Sequence, residues 1–246
     1  MSTPRFLVNG TALLEPNVIL MGAELRHLRA RRVSIGGEVI LSDGSGHIRQ
    51  GVVTELSRHR AVIRLLSDAV AQPASPLRLV LAQALLKSSK TDLVIEKATE
   101  LGVSELVVLT SGRSVVRATS EHQARWQRIA ASATKQSQRS SVPRITGPTA
   151  FEGFLSAAAA DVQLLFWENC RAGELAHVKV EQPRSNSVLA VVGPEGGFST
   201  SEAEAAQRAG FRLISLGTRI LRADTAALVA VTLCQYLWGD LGPSRT

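Results

Sequence analysis

The first 66 residues of the 246-residue chain alternate short β-prone runs with turn residues. Aspartate and glycine at 43–46 separate two of these runs, a pattern that predicts a β-hairpin. One short helix that carries several basic residues is predicted at 23–32. The predicted strands are 5–8, 38–42, 48–56 and 61–66. This part of the chain is therefore predicted to form a small β-rich domain.

The pattern changes after residues 69–76, which hold two prolines, small residues and no charge. This composition is typical of a linker, so we predict domains at 1–70 and 77–246. Beyond the linker, apolar strands alternate with helices, which favours an α/β fold with a parallel sheet. Continuous valine and leucine runs indicate strands covered on both faces. The predicted strands are 77–82, 105–109, 162–166, 187–192 and 211–216, and the predicted helices are 91–101, 121–138 and 225–238.

The composition, with 45% hydrophobic residues, is ordinary for a globular protein. No apolar run approaches the ~18–20 residues that cross a bilayer, and residues 1–6 lack the apolar stretch of a secretory signal. We therefore expect a soluble, cytoplasmic protein without membrane contact. Cys170 and Cys234 have no Cys-x-x-Cys partner and the histidines are scattered, so neither a disulfide nor a metal site is predicted. Both thiols are expected to be buried.

The net charge of +7 favours a polyanionic partner. Its distribution is uneven, because two segments concentrate the basic residues. Residues 26–32 hold one cluster. Residues 111–145 hold seven basic residues against the single acid Glu121: Arg113, Arg117, Arg125, Arg128, Lys135, Arg139 and Arg144. Two basic surfaces suit a phosphate backbone better than a small anion, although solvated helix faces would give the same pattern.

The most informative motif follows the strand 187–192 and reads GPEGGFS at 193–199. Ser199 and Glu202 fit a capping box for a helix that would run to Gly210. A strand, a glycine loop and a helix N-terminus together form a ligand cradle, since glycines let backbone N–H groups approach and the amides of the first turn lack partners. The alternative is a tight turn that uses glycine for its positive φ.

A second motif, LGTRILRADTAA at 216–227, joins the last predicted strand to the last helix. Asp224 is placed to cap that helix, which would explain this residue without chemistry. Arg219 and Arg222 have no such role. They would bring positive charge to the glycine loop if both loops leave the same edge of the sheet.

The two motifs closely resemble the C-terminal signatures of the small-subunit rRNA uridine-N3 methyltransferases, the RsmE family of the SPOUT class. The resemblance includes RHLR at 26–29, QALLK at 83–87, EKATELGV at 96–103 and RSVVR at 113–117. The chain departs from the family pattern at Gly112, Lys135 and Asp224, where the family often has glutamate. It also departs at Gln138, where the family usually has glycine, and at Thr218, where proline is common.

The resemblance implies an N-terminal PUA-like β-barrel, a C-terminal α/β trefoil-knot domain and a homodimer. It implies methylation of a uridine N3 in 16S rRNA of the small ribosomal subunit, with S-adenosyl-L-methionine as cofactor. Residues that correspond to the cofactor site are Leu165, Phe166, Gly193, Glu195, Gly196, Gly197, Leu216, Gly217, Ile220, Leu221 and Thr225.

We hypothesise that Arg222 stabilises the charge that develops on the uridine, and that Asp224 or Glu195 accepts the N3 proton. Residues expected to contact RNA are Arg26, Arg29, Arg31 and Arg32 in the first domain and Arg113, Arg117, Gln136 and Arg139 in the second.

Three alternatives stay open: a non-catalytic RNA-binding ribosome-assembly factor, a SPOUT methyltransferase acting on another RNA site, and a phosphate-ligand enzyme whose glycine loop is an anion nest. The chain has neither a G-x-G-x-x-G motif after the first strand of the sheet nor a P-loop. It also has no G-x-S-x-G elbow. These absences argue against dinucleotide enzymes, P-loop NTPases and serine hydrolases.

Overall fold

The computed structural model describes residues 3–66, 70–71, 75–113, 120–170 and 174–242. The chain divides into two compact units. Unit 1 comprises Met1–Ala74 and Ala131–Val142, and unit 2 comprises Ser75–Ala130 and Pro143–Thr246.

Unit 1 is rich in short strands, as predicted. Its elements are β1 (Arg5–Leu7), a 3₁₀ helix (Gly10–Leu14), β2 (Asn17–Leu20), α1 (Gly22–Ala30), β3 (Glu38–Ser42), β4 (His47–Leu56), β5 (Ala61–Leu65) and β6 (Val70–Ala71). Within the described ranges they form a six-stranded sheet in the order β1-β3-β4-β5-β2, with β6 paired to β4. β1 runs parallel to β3 and the other neighbours are antiparallel. Phe6, Leu28, Leu41 and Ile63 are buried between this sheet and α1.

One part of the predicted division differs from the structure. Residues 131–142 were predicted to belong to the second domain, but they pack with unit 1. The Ser42 hydroxyl donates to the Ser140 carbonyl at 3.0 Å, and Lys135 forms an ion pair with Glu24. These contacts hold the segment against the strands of unit 1.

Unit 2 is an α/β unit. Its elements are β7 (Arg78–Ala84), α2 (Ser88–Glu100), β8 (Glu105–Thr110), the first part of α3 (Ser120–Gln136), β9 (Arg144–Ala150), α4 (Phe151–Ala157), β10 (Val162–Phe166), α5 (Glu174–Glu181), β11 (Ser187–Val192), α6 (Thr200–Arg208), β12 (Arg212–Ile214) and α7 (Ala223–Trp238). In the part of the chain that the structure describes, the sheet has six parallel strands in the order β12-β10-β11-β7-β8-β9.

Helices cover both faces of this sheet, which confirms the predicted α/β fold. α7 packs on β7, β11 and α2. On the other face, Phe151 and Leu155 of α4 and Ala206 of α6 share a core with Val191 and Leu165. Because the β12, β10 and β11 strands are parallel neighbours, the loops that follow them leave the same edge of the sheet.

The described residues contain neither a membrane-spanning helix nor a metal-binding cluster. No helix among them is long and apolar enough to cross a membrane, and they contain no group of three or more His, Cys, Asp or Glu able to hold a metal ion. Neither Cys170 nor Cys234 is in a disulfide. Cys234 is buried as expected, and burial raises the pKa of its thiol to about 12, whereas Cys170 is only half-buried.

Candidate active site

A cavity of about 290 Å³ lies where the loops after β10, β11 and β12 meet. The glycine motif and the second motif of the sequence analysis therefore form one site. The residues that line it are Lys90, Phe166, Trp167, Glu168, Val192, Gly193, Pro194, Glu195, Gly197, Ser215, Leu216, Gly217, Thr218, Arg219, Ile220, Leu221, Arg222, Ala223 and Ala226.

Hydrogen bonds from a neighbouring strand hold the backbone where the glycine loop begins, at the end of β11. The buried Gln83 side chain on the neighbouring strand donates from Nε2 to the Gly193 carbonyl at 3.0 Å and to the Val192 carbonyl at 3.4 Å. Gln83 Oε1 is buried without a hydrogen-bond partner among the described residues. The loop then turns where the Gly197 N–H donates to the Pro194 carbonyl at 3.0 Å.

Gly197 has a φ of +65°, which favours glycine. A Cβ at this position would lie 2.1 Å from Glu168 Oε1, so the absence of a side chain lets the Glu168 carboxylate approach the loop. The predicted tight turn and the predicted ligand cradle are thus both features of the same loop.

The end of the glycine loop is held by α6. Ser199 and Glu202 form the predicted capping box, in which the Glu202 N–H donates to Ser199 Oγ at 3.2 Å and the Ser199 N–H donates to Glu202 Oε2 at 2.8 Å. Phe198 is buried and stacks on Phe151 with ring centroids 4.9 Å apart. Its carbonyl accepts a hydrogen bond of 3.1 Å from the Trp167 indole N–H. This bond ties the β10 loop to the glycine loop.

Charged side chains of both signs line the cavity. Glu195 accepts from the Lys87 backbone N–H at 3.3 Å, and its Oε1 lies 3.6 Å from the Lys90 ammonium. Both contacts are at the N-terminus of α2, where the helix dipole favours an anion. Arg219 and Arg222 are exposed on the loop that leads into α7.

The start of α7 differs from the prediction for Asp224. The N-cap is Arg222, whose backbone is extended and whose carbonyl accepts from the Ala226 N–H at 2.8 Å. Asp224 is the second residue of the helix, because α7 begins two residues earlier than the predicted start at Thr225. Its Oδ1 is buried and has no hydrogen-bond partner among the described residues. Helix capping therefore does not explain this carboxylate.

Most of the residues assigned to the cofactor by resemblance come together in the cavity. Those that line it are Phe166, Gly193, Glu195, Gly197, Leu216, Gly217, Ile220 and Leu221. Leu165, Gly196 and Thr225 do not line it, and the Leu165 side chain packs in the core of the sheet.

Several lining residues were not predicted from the sequence. Lys90 lies in the first turn of α2, three residues after the motif at 83–87, and Trp167 and Glu168 come directly after the strand β10. The position of Trp167 and Glu168 at the carboxyl end of a parallel strand was the available signal for them.

The residues expected to contact RNA are divided between the units. Arg26, Arg29, Arg31 and Arg32 are exposed on or just after α1, and Arg29 Nη2 donates to the Ser57 carbonyl at 2.6 Å. Gln136 and Arg139, which were predicted in the second domain, lie in unit 1. Arg113 lies in unit 2, where its Nη1 donates to the Gly196 carbonyl at 2.9 Å. Arg117 is outside the described residues.

Comparison with known proteins identifies the family. A family model for an RNA methyltransferase domain matches residues 73–235, and one for an RNA methyltransferase PUA domain matches residues 20–66. Ribosomal RNA small subunit methyltransferase E of Synechocystis is 33% identical over 231 residues, covering 92% of this chain and 75% of that protein. The Bacillus subtilis protein of the same name is 27% identical, covering 90% of each chain.

A solved structure agrees with these matches. Ribosomal RNA small subunit methyltransferase E from Neisseria gonorrhoeae, bound to S-adenosyl methionine, is 34% identical with a TM-score of 0.88, over 97% of this chain and 99% of that one. The fold of a SPOUT methyltransferase with an N-terminal PUA domain follows from these matches. The chain therefore belongs to the ribosomal RNA small subunit methyltransferase E family of RNA methyltransferases.

Proposed function

We propose that this protein transfers a methyl group from S-adenosylmethionine to N3 of a uridine in 16S rRNA. The observation that carries the proposal is the cavity at the edge of the parallel sheet, formed by the two loops whose sequences resemble the family signatures. The relative from Neisseria gonorrhoeae, similar over nearly the whole chain, is bound to this methyl donor.

The cavity fits such a cofactor. Its volume of about 290 Å³ is close to the roughly 300 Å³ at which small-molecule pockets begin. The turn at Gly197 leaves no room for a side chain, because the Glu168 carboxylate lies where its Cβ would be. Main-chain groups of Gly193 and Gly197 and of residues 216–221 would hold the donor. When bound, the donor supplies an electrophilic methyl group.

The residues of the chain must then position the uridine and stabilise the negative charge that forms on it. Loss of the N3 proton leaves negative charge on the base, and we assign its stabilisation to the Arg222 guanidinium at the edge of the cavity. Asp224 and Glu195 are the two candidate proton acceptors. Glu195 is already engaged by Lys87 and Lys90, whereas Asp224 has a buried oxygen without a described partner. Glu195 lines the cavity, however, and Asp224 does not, so this contrast does not decide between them.

We assign RNA contact to two sets of residues. Unit 1 presents exposed arginines around α1, together with Gln136 and Arg139 near the end of α3, and unit 2 contributes Arg113. Arg117 is assigned by resemblance alone. Replacing a residue that makes a true phosphate contact should lower the salt slope of RNA binding by about 0.7–0.9.

A homodimer in the cytoplasm is also part of the proposal. α7 exposes Thr225, Thr232 and Tyr236 on one face, with Tyr236 55% exposed. An aromatic residue on an otherwise small-residue face suits burial against a second copy. Sedimentation of the purified protein tests this, and a monomer at micromolar concentration would contradict it.

The test of the activity is mass mapping of methylated uridine in 16S rRNA from cells with and without this protein. We expect a single N3-methyluridine to be lost in its absence. In purified form, Arg222→Ala should lower kcat about 100-fold or more, with donor affinity nearly unchanged because the backbone holds the donor. Arg208→Ala, which removes an exposed arginine on α6, is the matched control. Normal turnover by Arg222→Ala would overturn the assignment of this residue.

A further inference from the structure

Arg113 makes a contact that its predicted role does not require. It belongs to the loop after β8, and its Nη1 donates to the Gly196 carbonyl at 2.9 Å across 83 residues of sequence. The preceding residue is tied to the same region, because the Gly112 N–H donates to Glu202 Oε1 at 3.1 Å. The other oxygen of Glu202 belongs to the capping box that ends the glycine loop. Two independent hydrogen bonds therefore fasten the β8 loop to the glycine loop and its helix.

The carbonyl that Arg113 binds is well placed to affect the cavity. Gly196 itself does not line the cavity, but its neighbours Glu195 and Gly197 do. The peptide plane between Gly196 and Gly197 sets the left-handed turn at Gly197. Two adjacent glycines have many accessible conformations, and a hydrogen bond that selects one of them lowers the entropy lost when a ligand binds.

The Arg113 guanidinium also has further N–H groups that can donate to a second partner. A guanidinium carries five N–H groups in a planar fork, and the Arg113 side chain is exposed. It can keep its bond to Gly196 and still donate to a phosphate oxygen, which prefers this fork geometry. A phosphate held there would fix the guanidinium against the glycine loop.

We propose that Arg113 is a positioning residue that couples RNA binding to cofactor binding through the Gly196 carbonyl. The proposal rests on the proposed function. RNA bound at Arg113 stabilises the cofactor-binding shape of the glycine loop, and bound cofactor in turn favours RNA binding by the same factor, as linked equilibria require.

Calorimetry with S-adenosylhomocysteine, which cannot react, and transcribed 16S rRNA tests the coupling. Without RNA, Arg113→Ala should bind S-adenosylhomocysteine about fivefold more weakly than the wild type, or about 1 kcal/mol. With RNA present, the wild type should gain about fivefold or more in this affinity, and Arg113→Ala should gain little. Arg113→Lys keeps the charge but loses the fork, so it should recover RNA affinity without the coupling. Arg208→Ala, an exposed arginine at the far end of α6, should behave as the wild type.

The results separate this inference from the function on which it rests. If Arg113→Ala binds S-adenosylhomocysteine as tightly as the wild type without RNA, Arg113 does not hold the loop and the inference is wrong. A loss confined to RNA affinity and its salt slope would make Arg113 a simple phosphate contact, which also overturns it. If the wild type itself binds no S-adenosylhomocysteine, the proposed function fails, and the coupling fails with it.

Discussion

Replacing Gly197 by alanine tests whether the turn of the glycine loop shapes the cavity. The φ of +65° at this position costs an alanine about 1–2 kcal/mol, and the lower entropy of the unfolded alanine chain offsets about 0.4–1 kcal/mol of this. The net loss of stability should be about 1 kcal/mol, which lowers the Tm of a chain of this size by about 2–4 °C. The new Cβ would also stand 2.1 Å from Glu168 Oε1, so the carboxylate has to leave its place in the cavity wall.

The effect on ligand binding should exceed the effect on stability. Since the loop and the Glu168 side chain both shift, we expect calorimetry to show S-adenosylmethionine binding about tenfold more weakly, or about 1.4 kcal/mol. Gly22→Ala in unit 1 is the matched control, because its φ of +55° carries the same strain while no atom lies within 4 Å of a Cβ there. Equal affinities for the two variants would refute the reasoning from backbone geometry.

Three further substitutions test other parts of the structure. Gln138 has a φ of +61° just after α3, so Gln138→Gly should relieve backbone strain and raise the Tm by about 1–3 °C. Gln136→Gly, inside the helix, should lower the Tm. A lower Tm for both variants would show that the backbone at Gln138 is not strained. Burial opposes ionisation of Asp43, but hydrogen bonds from Ser45 and His47 outweigh it and lower its pKa to about 2. The stabilisation that the ionised Asp43 carboxylate gives the folded protein is complete above its ordinary pKa near 4, and it is lost as the pH falls through 2. Between pH 4 and pH 2, the free energy of unfolding of the wild type should therefore fall by about 1 kcal/mol more than that of Asp43→Asn. Equal losses would show that Asp43 does not contribute this stability. Glu202→Ala removes the capping box and the hydrogen bond to Gly112. It should lower the free energy of chemical unfolding by about 1–2 kcal/mol, whereas Glu204→Ala, at an exposed position on the same helix, should lower it by about 0.5 kcal/mol or less. Similar losses for the two variants would show that the capping box does not stabilise the protein.

The strands at the centre of unit 2 were predictable from the sequence. β10 and β11 have the predicted bounds, because each is a short and mostly apolar run in a sheet that is covered on both faces. β9 was missed since it contains Gly147 and Pro148, residues that oppose strand formation. It is an edge strand that pairs only with β8 among the described strands, with an irregular register between Val107 and Leu109. Tertiary pairing, which local pattern does not contain, makes this strand.

The limits in unit 1 have a similar cause. β2 has four residues and depends on antiparallel pairing with β5. β6 lies inside the stretch predicted as a linker, and it is a strand because Val70 and Ala71 pair with Ile48 and His47. The assignment of residues 131–142 to unit 1 depends on contacts such as that of Ser42 with Ser140, which are separated by 98 residues.

The active site shows the same division between what a sequence encodes locally and what only the fold brings together. The glycine turn and the capping box at Ser199 are local, and both were predicted correctly. The partners that give the loop its shape come from other strands: Gln83 from β7, Trp167 after β10 and Arg113 after β8. The charge of Arg113 suggested an RNA contact, but its hydrogen bond to Gly196 depends on the order β11-β7-β8 in the sheet. Asp224 is a second example, because a carboxylate near the start of a helix is expected to cap it. The start of α7 at Ala223 instead places Asp224 inside the first turn, with one oxygen unpaired among the described residues.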